Sequence, residues 1–161
     1  EGRGRSADYV KTVTSVYKEA VTAWKNGDYT QENISRWNER LLTVYNRGFW
    51  SGYYLGKKMG EWTPKYGSSA TTRKTYVGKI TNFFDRPGVA ELKVEASDLK
   101  KGDRYVVIGN TTGVYEDVVS EIRMDDVPVQ ETVQGTYCSI KTRSELHRGD
   151  KLYRVDKADR G

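Results

Sequence analysis

Apolar side chains recur three and four residues apart early in the chain, at Tyr9, Val10, Val13, Val16, Tyr17, Ala20, Val21 and Trp24. That spacing marks one face of a helix and predicts an α-helix over residues 7–26. Ser6 suits its N-cap and Gly27 its C-terminal stop. A second helix is predicted from Gln31 to Tyr45, capped by Thr30, with Glu32 at the positive end of its dipole. Its apolar face is Ile34, Trp37, Leu41, Val44 and Tyr45. Both stripes are expected to be core; for Tyr17 and Trp24 the alternative is that they face an outside partner.

From Thr75 the period changes to that of strands. Alternation predicts strands near 75–84, 89–96, 103–109, 114–124, 127–133, 136–142 and 150–155. Turn residues separate them, such as Asp85-Arg86-Pro87-Gly88, Asp125-Asp126 and Gln134-Gly135. Six or seven short strands with no helix between them predict a small closed barrel, since closure removes exposed edges. The expected fold class is therefore α+β: a two-helix segment followed by an all-β closed barrel. A short echo runs through the barrel. Lys101-Gly102-Asp103-Arg104 and Arg148-Gly149-Asp150-Lys151 each set a Gly-Asp turn before an apolar strand, which suits two equivalent hairpins.

Between the two patterns lies Asn46-Arg47-Gly48-Phe49-Trp50-Ser51-Gly52-Tyr53-Tyr54-Leu55-Gly56, where glycines interleave with aromatics. Glycine at that density marks tight turns or close backbone approach. The polar stretch after it reads as a linker. The expected organisation is a helical region with its Gly/aromatic segment at 1–66, a linker at 67–74 and the barrel at 75–161.

Composition narrows the function classes. Twelve Tyr and four Trp among 161 residues argue against disorder. The longest apolar runs are far shorter than the roughly 20 residues of a membrane span. With one cysteine, Cys138, and one histidine, His147, the chain cannot form an internal disulfide or assemble a zinc site of several His and Cys ligands. A reducing, cytoplasmic location is the expectation, with no membrane partner. The net charge of +5 is uneven. Residues 1–66 hold eleven Lys and Arg against seven Asp and Glu, whereas residues 67–161 hold sixteen against fifteen. The basic excess permits RNA or phosphate contact in the first part.

Two groups stand out as binding candidates. Glu1, Arg3 and Arg5 form a charged cluster in which Arg3 can hold a carboxylate or phosphate in bidentate fashion, against the alternative of a solvated terminus. Arg47, Phe49, Trp50, Tyr53 and Tyr54, followed by Lys57 and Lys58, combine phosphate-neutralising cations with aromatic faces that stack bases. The alternative is that these aromatics pack against the barrel. Catalytic candidates are few. His147 reads as an ordinary exposed histidine and Cys138 as a small buried residue. Asp125-Asp126 and Glu116-Asp117 do not converge by spacing. No Gly-rich phosphate loop, nucleophile elbow or paired-histidine motif is present.

Glu1-Gly2-Arg3, then Ser6-Ala7-Asp8-Tyr9-Val10 and a helix with Tyr17, resembles the segment that closes the catalytic barrel of the collagenase-like peptidases. Asn46-Arg47-Gly48-Phe49 with Gly52-Tyr53-Tyr54-Leu55-Gly56 is similar to that family's Arg-Gly-aromatic, Gly-aromatic-Leu-Gly signature. Gly4-Arg5 departs from the family's usual Met and Lys, and Trp50-Ser51 from a pair of small polar residues. The barrel from Thr75 resembles the family's C-terminal domain, which is like the second domain of elongation factor Tu. The resemblance implies a C-terminal piece of a longer enzyme, with an upstream catalytic domain of the same chain as its partner. Any iron–sulfur cluster or metal would belong to cysteines of that domain, and no cofactor is expected in this piece. The implied activities are peptide hydrolysis, hydroxylation of pyrimidines in tRNA or rRNA using prephenate, or oxygen-independent ubiquinone synthesis. Here the expected role is to hold substrate or partner. The alternatives are a module that stabilises or dimerises the catalytic domain, or a protease in its own right.

Overall fold

The computed structural model describes residues 2–49 and 68–158. The chain divides into two compact units, Glu1–Thr72 with Ala158–Gly161, and Arg73–Lys157.

The first unit holds a 3₁₀ turn at Gly2–Gly4 and two helices, α1 (Ala7–Asn26) and α2 (Gln31–Leu42). Ser6 stands at the N-cap of α1 in extended conformation but makes no side-chain capping bond, whereas the other two expected caps act as such. Gly27 stops α1 in the left-handed region at φ 79°, and the Thr30 hydroxyl accepts the Asn33 N–H at 3.3 Å. Helix α2 ends three residues before the expected Tyr45, where Thr43 caps it and Asn46 begins to hold the backbone. Trp37 is buried between the helices, and Glu19 of α1 accepts from both its Nε1 and Arg40 of α2.

The core expectation for α1 needs correction. At 3.6 residues per turn its apolar positions cover an arc of about 140°. Val16, Tyr9, Ala20 and Val13 fill the inner half of that arc and are buried or half-buried. Val10, Tyr17, Val21 and Trp24 fill the outer half and are exposed, Trp24 at 70% and Tyr17 at 63%. Among the described residues, helix α2 covers one side of the stripe.

The second unit is an eight-stranded antiparallel sheet: β1 (Thr72–Phe84), β2 (Val89–Val94), β3 (Arg104–Gly109), β4 (Gly113–Val118), β5 (Ile122–Met124), β6 (Val127–Val129), β7 (Tyr137–Lys141) and β8 (Lys151–Lys157). The spatial order is β4-β3-β8-β1-β2-β7-β5-β6. One core unites Val77, Ile80, Leu92, Leu99, Tyr105, Leu146 and Leu152 with Cys138 and others. Strand β1 is long enough to bend around it, helped by a register shift between Ile80 and Asn82 against β2.

The sheet is not closed, which overturns the expected barrel. Strands β4 and β6 remain its edges. The reason is local: β6 is three residues long and carries Pro128, which has no N–H to extend a ladder. At one end, backbone bonds from Lys101 N–H to Gln130 O and from Gly102 N–H to Val119 O tie the β2–β3 connection to the ends of β6 and β4. The expected strand 114–124 is split in two. Val119 and Ile122 both face the core, and a spacing of three breaks an alternation of two.

The Gly-Asp echo is a shared structural device. Gly102 N–H donates to Val119 O, and Val119 N–H donates to Asp103 O. Gly149 N–H donates to Ile80 O, and Ile80 N–H donates to Asp150 O. Each aspartate carboxylate also accepts the N–H three residues back, from Lys100 and His147, at 2.8 Å. Gly135 and Thr136 make the same backbone exchange with Val94. All three glycines have φ near 90°, a region that side chains with a Cβ avoid.

Candidate anion-binding groove

The end of α2 sets the groove. Asn46 is buried, and its side-chain amide donates to Leu42 O and Val44 O while its Oδ1 accepts the Gly48 N–H. Ser69 N–H bonds Asn46 O at 2.6 Å, and Thr71 N–H and Thr72 Oγ1 bond the carbonyls of Leu42 and Thr43. These bonds fix the turn that presents Tyr45, Arg47 and Phe49.

Arg5 and the first three turns of α1 supply the other wall. Arg5, Tyr9, Val13 and Tyr17 face Leu41, Val44, Tyr45, Asn46, Arg47, Gly48 and Phe49 across an open groove of about 400 Å³. The Arg5 guanidinium lies 3.6 Å from the centre of the Tyr45 ring. Arg47 Nε donates to the Tyr45 phenol oxygen at 2.9 Å. That bond, assisted by Arg5, holds the Tyr45 phenol below its ordinary pKa. The groove thus has an apolar floor, two guanidiniums aligned on one phenol, and exposed ring faces at Tyr17 and Phe49. None of its described lining residues is acidic. It suits an anion carrying a flat or apolar group.

Of the expected binding residues, Arg5, Arg47 and Phe49 come together here. Arg3 lies exposed on the 3₁₀ turn outside the groove. Glu1, Trp50, Tyr53, Tyr54, Lys57 and Lys58 lie outside the described residues. Tyr45 and Asn46 escaped the sequence reading as site residues. Tyr45 read as the end of an apolar stripe, although a tyrosine two residues before an arginine is the pattern that allows their bond.

The catalytic candidates of the sheet unit are structural. Cys138 is in the core, and burial pushes its thiol up to about 12, far from a reactive thiolate. Thr112, His147 and Asp150 do meet. The Thr112 hydroxyl donates to Asp150 Oδ2 and lies 2.9 Å from His147 Nδ1. Its proton is thus committed to a buried carboxylate, and its oxygen accepts from the imidazole. That is the reverse of a hydroxyl activated by a histidine base. Asp117 accepts from Tyr115 at 2.7 Å, which holds its carboxyl low, and Asp125 and Asp126 form the positive-φ turn between β5 and β6. Among the described residues no group of three or more His, Cys, Asp or Glu could hold a metal ion, and no helix is long and apolar enough to cross a membrane.

The sequence model of peptidase family U32 matches residues 1–64. A collagenase of Porphyromonas gingivalis is 50% identical over 159 residues, which is 99% of this chain and 44% of that protein. The collagenase of a second strain matches equally over 38% of its length. An uncharacterized protease of Methanocaldococcus jannaschii is 31% identical over 95% of this chain and 38% of its own. The chain thus spans less than half the length of these relatives. Among solved structures, the C-terminal domain of a putative U32 peptidase from Geobacillus thermoleovorans aligns with a TM-score of 0.47 and 13% identity, covering 50% of this chain and 91% of that one. A bacterial selenocysteine-specific elongation factor aligns at 0.41 and 19% identity, over 50% of this chain and 14% of its own. Residues 1–64 thus match the model of peptidase family U32, and similarity to the collagenases runs through nearly all 161 residues.

Proposed function

We propose that this chain is the substrate-holding, non-catalytic region of a U32-family enzyme, and that its groove takes single-stranded RNA. The observation that carries this reading is the Arg5–Tyr45–Arg47 stack beside the exposed face of Phe49. Guanidiniums neutralise phosphate, and ring faces stack bases of any sequence. The chemistry, on RNA pyrimidines, would belong to the part of the enzyme that lies beyond the matched residues in the longer relatives. The test is fluorescence anisotropy of a labelled single-stranded oligoribonucleotide over about 50 to about 200 mM salt. Affinity should fall with salt, and Arg47→Ala should weaken it about tenfold and lower the salt slope by about 0.7. Absence of salt-sensitive binding at the low end, or an Arg47→Ala variant that binds like the parent, refutes the RNA reading.

A second reading has its own support. The 50% identical relatives are named collagenases, and an accessory region of a peptidase would hold a peptide. Gelatin binding that survives both high salt and Arg47→Ala would favour it over RNA.

A further inference from the structure

The outer half of the α1 stripe touches the groove only at Tyr17 and otherwise belongs to no site described so far. Val10, Tyr17, Val21 and Trp24 line it across residues 10–24, about 21 Å of helix, with exposures from 38% to 70%. Val21 and Trp24 lie outside the groove. Two aromatics and two β-branched residues in one uncharged row have the composition of an interface centre, where large rigid side chains carry most of the binding energy. A monomeric surface rarely leaves such a row uncovered.

We infer that this face docks permanently against an apolar surface of the remaining polypeptide of the U32 enzyme, the portion that the relatives carry outside their 159 matched residues. Three observations select that occupant. The stripe lies in residues 1–64, the segment that the family model matches. The relatives are more than twice as long as the match, so most of their chain is available as a neighbour. The row carries no charge, which favours a permanent contact within one enzyme over a transient, electrostatically steered one. The inference rests on the accessory-region reading but not on RNA as the ligand. It makes α1 bifunctional: Tyr9 and Val13 serve the groove, and Val21 and Trp24 serve the docking face.

The test uses Val21→Ser with Trp24→Ser, changed together, in this chain. Both positions are exposed, so thermal melting of the chain should hold steady. The remainder of the Porphyromonas collagenase, expressed separately, should bind this chain with one-to-one stoichiometry in titration calorimetry, and the double variant should weaken that binding at least about tenfold. Hydrogen exchange provides a second reading if the separate remainder does not fold. In the full-length Porphyromonas protein, amides aligned with residues 10–24 should exchange at least about tenfold more slowly than in its isolated 159-residue segment. Equal exchange in both forms overturns the inference. So does complex formation that is indifferent to the double variant. A dimer of the present chain that the double variant dissolves would assign the face to a second copy and overturn it as well. Arg47→Ala separates the two proposals: it should leave docking intact while weakening RNA binding, so either can fail without the other.

Discussion

Replacing Gly109 with alanine places a methyl group where a carboxylate sits. A Cβ on Gly109 would lie 1.7 Å from Asp150 Oδ1 and 2.4 Å from its Cγ. Relief requires the carboxylate to withdraw by about 1.5 Å, since carbon and oxygen do not approach closer than ordinary van der Waals contact without strain. Asp150 is only 4% exposed, and its carboxylate accepts the Thr112 hydroxyl and, at 2.8 Å, the His147 N–H. A withdrawal of that size takes both bonds beyond hydrogen-bond range. Each bond to a charged group contributes about 1.5–3 kcal/mol. Loss of glycine's extra freedom in the unfolded chain offsets about 0.4–1 kcal/mol of this. The net cost is about 2–5 kcal/mol. For a unit of this size that lowers the melting temperature by roughly 10–30 °C. Circular dichroism melts of the parent and of Gly109→Ala measure it. A double-mutant cycle then isolates the cause. Asp150→Ala is itself destabilising, because it strands the Thr112 hydroxyl and the His147 N–H. In that background Gly109→Ala should cost less than about 1 kcal/mol, because the atom it strikes has gone. Equal costs in the two backgrounds, or a cost below about 1 kcal/mol in the parent, would refute the reasoning.

Tyr105 Oη is buried with no hydrogen-bond partner among the described residues, so Tyr105→Phe should leave stability unchanged or raise it by about 1 kcal/mol, read from urea midpoints; a loss of more than about 1 kcal/mol would reveal a partner. Burial pushes the Cys138 thiol up to about 12, so at pH 8 it should react with an aromatic disulfide roughly a thousandfold more slowly in the folded chain than after unfolding; comparable rates would place the thiol at the surface. The Tyr115 hydroxyl holds the Asp117 carboxyl below its ordinary value. The folded state therefore binds its proton less readily than the unfolded chain. The resulting stability is complete above the usual carboxylate range and is lost as pH falls through the folded pKa. Tyr115→Phe should flatten stability between about pH 5 and pH 2, and an unchanged acid limb would count against the pairing.

The sheet's turns were legible because backbone chemistry is local. A glycine before aspartate implies a positive-φ turn, and Gly102 and Gly149 adopt it with matching bonds. The third copy, at Gly135-Thr136, was hidden because threonine stands where the other two carry aspartate. Closure was not legible. It depends on whether β4 and β6 meet, and the short, proline-bearing β6 decides that through a missing N–H. The groove was half legible. Arg5 and Arg47 were marked for charge and Phe49 for its ring, but forty residues separate the two walls, and no local pattern shows that α1 and the end of α2 bring them together.

The α1 stripe shows where pattern reading misleads and why. Periodicity reports that a side chain avoids water, and it is silent about which body supplies the cover. An arc of about 140° is wider than the half that lies buried or half-buried beside α2. Its outer half is left for a neighbour on another side. Helix α2 covers Val16 and half-covers Tyr9, Val13 and Ala20. Had the outer four positions been designed for solvent, polar residues there would have cost nothing in helix propensity, because valine, tyrosine and tryptophan are weaker helix formers than lysine, glutamate or glutamine. A sequence that keeps poorer helix formers on an exposed face, and apolar ones at that, gains from them elsewhere. The surplus is accounted for by a second apolar body against α1, and the fourfold run Val10, Tyr17, Val21, Trp24 traces its footprint.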